Sequence, residues 1–204
     1  AEAVALAGLA SDLSADLDLI ARFVERSERR AAAMDGLLMS LQSGMVEAPE
    51  VLAERWFEVI FGLSFNLNTA TYAGLKDGSR LHIIRDEELR AGLIVYYERT
   101  VPFLLGRADR IRIARDDFVE RSQPWIYRSS IDNPFPGRVI AIAEVLQGEP
   151  WYFSVAEQRE EMARDEALDV SANELSGFLS AFRIRSADAV IQLNDLIANI
   201  AEQY

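Results

Sequence analysis

The sequence predicts an all-α protein, a helical bundle with long antiparallel N- and C-terminal helices and several shorter helices packed on them. Apolar residues recur every three or four positions from Leu6 to Leu41 and again from Leu175 to Ile200, which is the period of an α-helix. Between these stretches, glycine, proline and aspartate divide the chain into shorter helical segments. Since half of the 204 residues are hydrophobic, we expect one domain with a substantial core over residues 1–204.

The first predicted helix is long. Its apolar positions are Leu6, Leu9, Leu13, Leu17, Ile20, Val24, Ala31, Met34, Leu38 and Leu41. The charged residues between them are predicted to form a solvated face: Asp12, Asp16, Asp18, Arg22, Glu25, Arg26, Glu28, Arg29 and Arg30. At the usual rise per residue the helix would measure roughly 55 to 60 Å, more than the diameter of such a domain. We therefore expect its N-terminal end to protrude, or to continue a segment missing from this chain.

Two shorter helices are predicted next. Gly44 ends the first helix, and Pro49 starts the second, because the first turn of a helix has no partner for the N–H that proline lacks. The second helix should reach about Phe65. A third is expected over residues 69–76, closed by Gly78 in the left-handed conformation.

The fourth helix is predicted to begin after Asp86, whose carboxylate can accept hydrogen bonds from free N–H groups of the first turn. Its apolar face is expected to include Leu89, Leu93, Ile94 and Tyr97. The only histidine, His82, lies within "LHII" and is interpreted as a packed or turn-exposed residue, not as a catalytic base.

Beyond Pro102 the helical pattern weakens, with a break predicted near Pro124 and a loop at residues 132–137. Residues 138–146, "RVIAIAEVL", fit either a strand or a buried helix. We favour a helix, because a lone strand would have no evident partner.

Two capping boxes, Ser154 with Glu157 and Ser171 with Glu174, predict two further helix starts. The last helix is expected to run from about Ala172 to near the C-terminus. Its apolar positions are Leu175, Phe178, Phe182, Val190, Ile197 and Ile200.

Composition excludes several functions. A net charge of -12 opposes binding to nucleic acid, and the absence of cysteine removes disulfides and thiolate metal ligands. The chain has no Glu-x-x-His pair for a di-iron centre, no phosphate-binding loop and no nucleophile elbow. We therefore predict no catalytic residue, no cofactor and no bound metal.

Two groups of side chains are candidates for binding. Arg107, Arg110, Arg112 and Arg115 could hold an anion or an anionic partner, but nearby aspartates neutralise them, and such mixed runs are more often surface ion pairs. Aromatic residues line ligand pockets as well as cores, and a core role is the commoner one. If a pocket exists, it is expected beside "EPWYFS", and the residues predicted to line it are Trp125, Tyr127, Trp151 and Tyr152.

Residues 71–98, "TYAGLKDGSRLHIIRDEELRAGLIVYYE", together with the preceding helix "LSADLDLIARFVERSERRAAAMDGLL", carry a resemblance. They resemble a family of bacterial membrane-anchored proteins of unknown function, in which a short basic N-terminus and one transmembrane helix precede a helical domain. The resemblance implies an anchor upstream of residue 1 and a domain on the periplasmic side of the inner membrane. It supplies no catalytic residues.

These observations favour a non-enzymatic, membrane-tethered domain for protein interaction or sensing. The alternative is a small-molecule-binding sensor with an aromatic-lined pocket, and a hydrolase is the third choice. The expected partner is an unidentified protein or a small ligand, and a homodimer is possible. A pocket with unpaired polar groups would favour the sensor, and an exposed apolar groove would favour protein interaction.

Overall fold

The protein is an all-α bundle in a computed structural model that describes residues 2–42, 49–60, 64–122, 126–127, 152–153 and 166–203. Its helices are α1 (Glu2–Gln42), α2 (Pro49–Ile60), α3 (Ala70–Asp77), α4 (Glu87–Val95), α5 (Val101–Ser122) and α6 (Glu166–Glu202). A 3₁₀ turn covers Leu81–Ile83, and a π-helix covers Tyr96–Thr100. Two short strands, β1 (Ile126–Tyr127) and β2 (Tyr152–Phe153), pair antiparallel.

The chain divides into two compact units, which are described separately. Unit 1 contains Ala1–Arg26, Leu63–Asp109 and Ala181–Tyr204, and unit 2 contains Ser27–Gly62 and Arg110–Ser180. Helices α3 and α4 belong to unit 1 and α2 belongs to unit 2, whereas α1, α5 and α6 contribute residues to each.

In unit 1 the two terminal helices run antiparallel, as predicted. The ring of Phe23 in α1 lies 4.6 Å from that of Phe182 in α6. Near the other end, Glu2 of α1 and Gln203, which follows α6, both hydrogen-bond to the two residues that precede α4. Phe65 packs against both phenylalanines at centroid distances of 4.7 and 5.5 Å. The terminal helices therefore frame the core on which the shorter helices pack.

A series of buried positions in α1 alternates spacings of three and four residues. They are Leu6, Leu9, Leu13, Asp16, Ile20, Phe23, Ser27, Arg30, Met34 and Leu37. An average spacing of 3.5 residues keeps one face of a helix against its neighbours over many turns. Two residues of the predicted solvated face, Asp16 and Arg30, occupy this series and are buried, so the prediction is wrong for both.

Helix α6 shows the same alternation. The buried positions that follow it are Leu168, Ala172, Leu175, Leu179, Phe182, Ser186, Ala189, Leu193, Leu196 and Ile200. Three residues of the predicted apolar face, Phe178, Val190 and Ile197, are only half-buried. Each is the sequence neighbour of a buried residue and therefore points about 100° away from it around the helix.

The N-terminal end of α1 does not protrude. Leu6 and Leu9 are 3% and 0% exposed. The carboxylate of Glu2 accepts a hydrogen bond from the backbone N–H of Arg85 at 2.9 Å and pairs with its guanidinium at 3.4 Å. The expectation of a protruding end is wrong, because the residues just before α4 contact this part of α1.

Two helix boundaries differ from the prediction. Helix α2 ends at Ile60, and residues 64–69 are not helical, so Phe65 lies outside the helix. Helix α6 begins at Glu166, which places Ser171 inside it and not at its start. The hydroxyl of Ser171 donates to the carboxylate of Asp117 at 2.6 Å, a tertiary contact in unit 2 that replaces the predicted cap.

For the segment between α3 and α4, the predicted helix cap is confirmed and the predicted left-handed glycine is wrong. Asp86 caps α4 as predicted, accepting a hydrogen bond from the N–H of Leu89 at 2.9 Å. Gly78 has a φ of -78°, and the positive φ of 51° belongs to Ser79. Ile94 is 39% exposed and does not belong to the buried face of α4.

Unit 2 has a smaller described core, in which the rings of Trp56 and Phe118 lie 4.9 Å apart. The pairing of β1 with β2 was not predicted; its register sets Tyr127 opposite Tyr152. Several predicted features lie outside the described residues: the break near Pro124, the loop at 132–137, the segment 138–146 and the capping box of Ser154 and Glu157.

Candidate functional site

A π-helix immediately before Pro102 joins α4 to α5. Proline has no N–H, and its ring clashes with the carbonyl four residues earlier, so a helix must adjust locally to continue through it. Here the turn widens, and the N–H of Val101 bonds to the carbonyl of Tyr96, five residues back. The inserted residue allows two consecutive side chains, Tyr96 and Tyr97, to be buried. The helical pattern therefore continues where the sequence suggested that it weakens.

The two tyrosines belong to a polar network in unit 1 that has a buried centre and exposed members at its edge. We call it the Asp16 cluster, and its members are Asp16, Asn68, Tyr72, Lys76, Tyr96, Tyr97 and Glu98. Asp16, which is 0% exposed, accepts hydrogen bonds from the hydroxyl of Tyr96 at 2.9 Å and from the backbone N–H of Asn68 at 2.7 Å. The side-chain amide of Asn68 donates a third at 3.2 Å. The protein itself thus replaces the water that a buried carboxylate loses.

The outer part of the Asp16 cluster links α3 to the π-helix. The rings of Tyr72 and Tyr97 stack with centroids 4.4 Å apart and planes inclined by 12°. The hydroxyl of Tyr72 and the ammonium of Lys76 both donate to the same carboxylate oxygen of Glu98, at 2.9 and 2.7 Å. These hydrogen bonds, that from Lys76 first, lower the pKa of Glu98, which is therefore ionised at neutral pH.

Burial and hydrogen bonds shift the pKa values of the ionisable groups in the Asp16 cluster. Burial raises the pKa of Asp16 in spite of the hydrogen bonds that it accepts. Burial, reinforced by the Asp16 carboxylate, also raises the pKa values of Tyr96 and Tyr97. Burial and the hydrogen bond to Glu98 raise the pKa of Tyr72 to about 12. All three tyrosines therefore stay protonated at neutral pH, and the hydroxyls of Tyr72 and Tyr96 donate hydrogen bonds.

A second polar region of unit 1 is an open groove of about 470 Å³ between α6 and the helical face of residues 99–107. We call it the arginine groove; it is lined by Arg99, Thr100, Phe103, Leu104, Arg107, Arg185, Asp188, Ala189 and Gln192. On the first wall, Arg99, Phe103 and Arg107 follow one another at intervals of four, so they lie on one face of the helix. On α6, the lining residues follow the same helical spacing.

Several arginines that line the groove make no hydrogen bond or ion pair with the residues that the structure describes. Among the arginines that the structure describes, those without a hydrogen bond or ion pair are Arg22, Arg99, Arg107, Arg110 and Arg185. Three of them line the groove. Arg107 has only an aromatic contact, its guanidinium lying 5.3 Å from the ring centre of Phe103. With three arginines against one aspartate, the groove therefore carries a net positive charge on a protein whose net charge is -12.

The other lining residues add shape and a single negative charge. The hydroxyl of Thr100 donates to the amide oxygen of Gln192 at 2.8 Å and joins the two walls. Leu104 and Ala189 are buried and form an apolar floor, and Phe103 is 43% exposed. The groove supplies charge and hydrogen-bond donors but no paired nucleophile and base, so its chemistry suits binding.

Of the predicted arginine cluster, only Arg107 lines the groove. Arg112 and Arg115 both pair with Asp116, as expected of a mixed surface run. His82 is exposed, with its Nδ1 2.9 Å from the carbonyl oxygen of Ser79, which confirms a turn residue.

The predicted aromatic pocket stays a prediction. Trp125 and Trp151 lie outside the described residues. The backbones of Tyr127 and Tyr152 are cross-strand partners, and their side chains also lie outside the described part of the chain.

Sequence reasoning missed Arg99 and Arg185. A signal for the first existed, because Arg99, Phe103 and Arg107 share a spacing of four residues. No local signal could pair them with Arg185, which lies far away in the sequence and reaches the groove only because α6 packs beside this face.

The fold and the site define an all-α protein with a cationic surface groove. Neither a protein-family model, nor a curated protein, nor a solved structure matches the chain. In the described ranges, no group of three or more metal-ligating side chains is placed to hold an ion. None of the helices described combines the length and apolar character needed to cross a membrane.

Proposed function

We propose that this protein is a non-enzymatic sensing domain that binds a small anionic ligand in the arginine groove. The observation that carries the proposal is the convergence of Arg99, Arg107 and Arg185 on one groove without any ion pair among the described residues. Guanidinium groups bind carboxylates and phosphates through charge-assisted, often bidentate hydrogen bonds.

The size and lining of the groove support a small ligand over a protein partner. A volume of about 470 Å³ lies within the range of small-molecule sites. An interface for a protein partner would favour an exposed apolar surface, whereas the side chains at the rim of this groove are charged. Because the groove is open and its arginines are solvated, we expect modest affinity that falls as salt rises.

Calorimetric titration at low ionic strength with inorganic phosphate, succinate and glutarate tests the proposal. We expect binding of at least one of these anions, weakened by added sodium chloride and strongly reduced in Arg107→Gln. The matched control is Arg110→Gln, which removes another unpaired arginine of α5 that does not line the groove. If no anion binds, or if both variants weaken binding equally, the proposal is wrong.

We also propose that the domain is tethered to the inner membrane on its periplasmic side. The support is the sequence resemblance carried by residues 71–98. The coding sequence upstream of Ala1 is then expected to contain about 20 apolar residues preceded by basic ones. A soluble domain encoded there would contradict the tether and would leave the groove proposal intact.

A further inference from the structure

We infer that the ligand of the arginine groove is a small dicarboxylate that also carries an amino group, with Asp188 receiving the ammonium. This inference rests on the proposed function and deepens it. The groove holds three arginines and one carboxylate, and the carboxylate is the feature that a site for a simple anion does not require.

Asp188 is free to meet a ligand. It stands three residues after Arg185 on α6, a spacing at which opposite charges commonly pair. Within the described part of the chain, however, no ion pair joins Asp188 to Arg185 or to any other residue. The carboxylate is therefore not committed to an ion pair, and it remains available to the solvent or to a ligand.

A simple anion would be repelled by Asp188, because like charges in one open site oppose each other. A ligand that carries an ammonium group turns this repulsion into an attraction. Two carboxylates on the same ligand can meet the arginines of the two walls, Arg99 and Arg107 on one side and Arg185 on the other. Asp188 would thus favour anions that also carry an ammonium group, and would not merely weaken the binding of every anion.

The apolar floor of the groove limits the chemistry of the chain that joins the charged groups of the ligand. Leu104 and Ala189 are buried beneath the groove, and the exposed edge of Phe103 borders it. A short aliphatic chain fits such a surface, whereas a fully polar spacer would lose hydration without compensation. Amino dicarboxylic acids combine these features: two carboxylates, one ammonium and a few methylene groups.

A matched pair of ligands tests the inference, because glutamate and glutarate have the same chain and carboxylates and differ in the ammonium group. We expect the wild type to bind glutamate about two- to fivefold more tightly than glutarate, the range that one exposed ion pair supplies. Asp188→Asn should reverse the order, weakening glutamate and strengthening glutarate. Asp195→Asn, which removes an exposed acid of the same helix outside the groove, should change neither.

The possible outcomes separate the two proposals. Equal binding of glutamate and glutarate to the wild type, or a shift of both in the same direction in Asp188→Asn, overturns the ammonium site and leaves the anion groove standing. Failure of glutamate, glutarate, succinate and phosphate to bind overturns the proposed function itself. Since Asp188 is exposed, the variant should fold; if it does not, the comparison in the wild type decides alone.

Discussion

The Asp16 cluster and the arginine groove are both polar regions of unit 1, and the π-helix contributes to each. In the cluster, a carboxylate with no exposure meets three donors, so its charge is satisfied inside the protein. In the groove, the arginines make no ion pair within the described residues. The difference separates two uses of charge: a satisfied, buried group specifies the fold, and an unsatisfied, exposed group remains available for binding.

The π-helix explains how one short segment serves both regions. Tyr96, Tyr97 and Glu98 belong to the Asp16 cluster, whereas Arg99 and Thr100 line the groove. Substitutions in the two regions should therefore have opposite signatures. Those in the cluster should alter stability, and those in the groove should alter binding.

The largest effect is expected for Asp16→Ala. It removes the acceptor of three hydrogen bonds, two from Asn68 and one from the buried hydroxyl of Tyr96, and we expect a loss of about 3 kcal/mol in the free energy of unfolding. The matched control is Asp18→Ala, an exposed acid of the same helix, which should change stability by less than about 0.5 kcal/mol. Urea denaturation measures both, and equal losses would show that burial does not distinguish the two acids.

A smaller effect is expected for Tyr96→Phe, which retains the ring and removes the hydroxyl that donates to Asp16. Loss of a hydrogen bond to a charged group should cost about 1.5 to 3 kcal/mol. Its neighbour provides the control: the buried hydroxyl of Tyr97 has no hydrogen-bond partner among the described residues, so Tyr97→Phe should be neutral or slightly stabilising. The comparison fails if thermal unfolding shows the same loss for both variants.

The pH dependence of stability sharpens the comparison further. Because the folded-state pKa of Asp16 is raised, its contribution is fully present below the unfolded value of about 3.8 and is lost as pH rises through the folded value. Relative to Asp16→Asn, the wild type should therefore lose stability as the pH rises from about 3.8 through the raised pKa of Asp16. The lowered pKa values of Glu98 and Asp117 act in the opposite direction but are common to both proteins. A difference that grows in favour of the wild type with rising pH would contradict the sign.

The smallest effect on stability is expected in the groove. Arg185 is exposed and has no ion pair among the described residues, so Arg185→Gln should change the free energy of unfolding by less than about 0.5 kcal/mol. The same variant should reduce binding of anions measured by calorimetry. If it instead destabilises the protein as Asp16→Ala does, the groove is structural and the contrast between the regions disappears.

The parts of the fold that could be predicted depend on local patterns. Three such features depend only on neighbouring residues: the helical period, the cap at Asp86 and the turn location of His82. Each is confirmed. The exposed pairing of Arg112 and Arg115 with Asp116 is local as well. Such features follow from interactions within one or two turns of a helix, which the sequence contains directly.

The sequence by itself thus determined that the chain forms helices, where several of them begin, and that long antiparallel helices frame them. Only the tertiary structure decided that Asp16 is buried while Asp18 is exposed, and that Arg185 shares a groove with Arg99. The physical reason is that periodicity fixes which residues share a helix face, but the neighbouring helices decide which face is covered. Successive residues point about 100° apart, so a small rotation of a helix exchanges a buried charge for a solvated one.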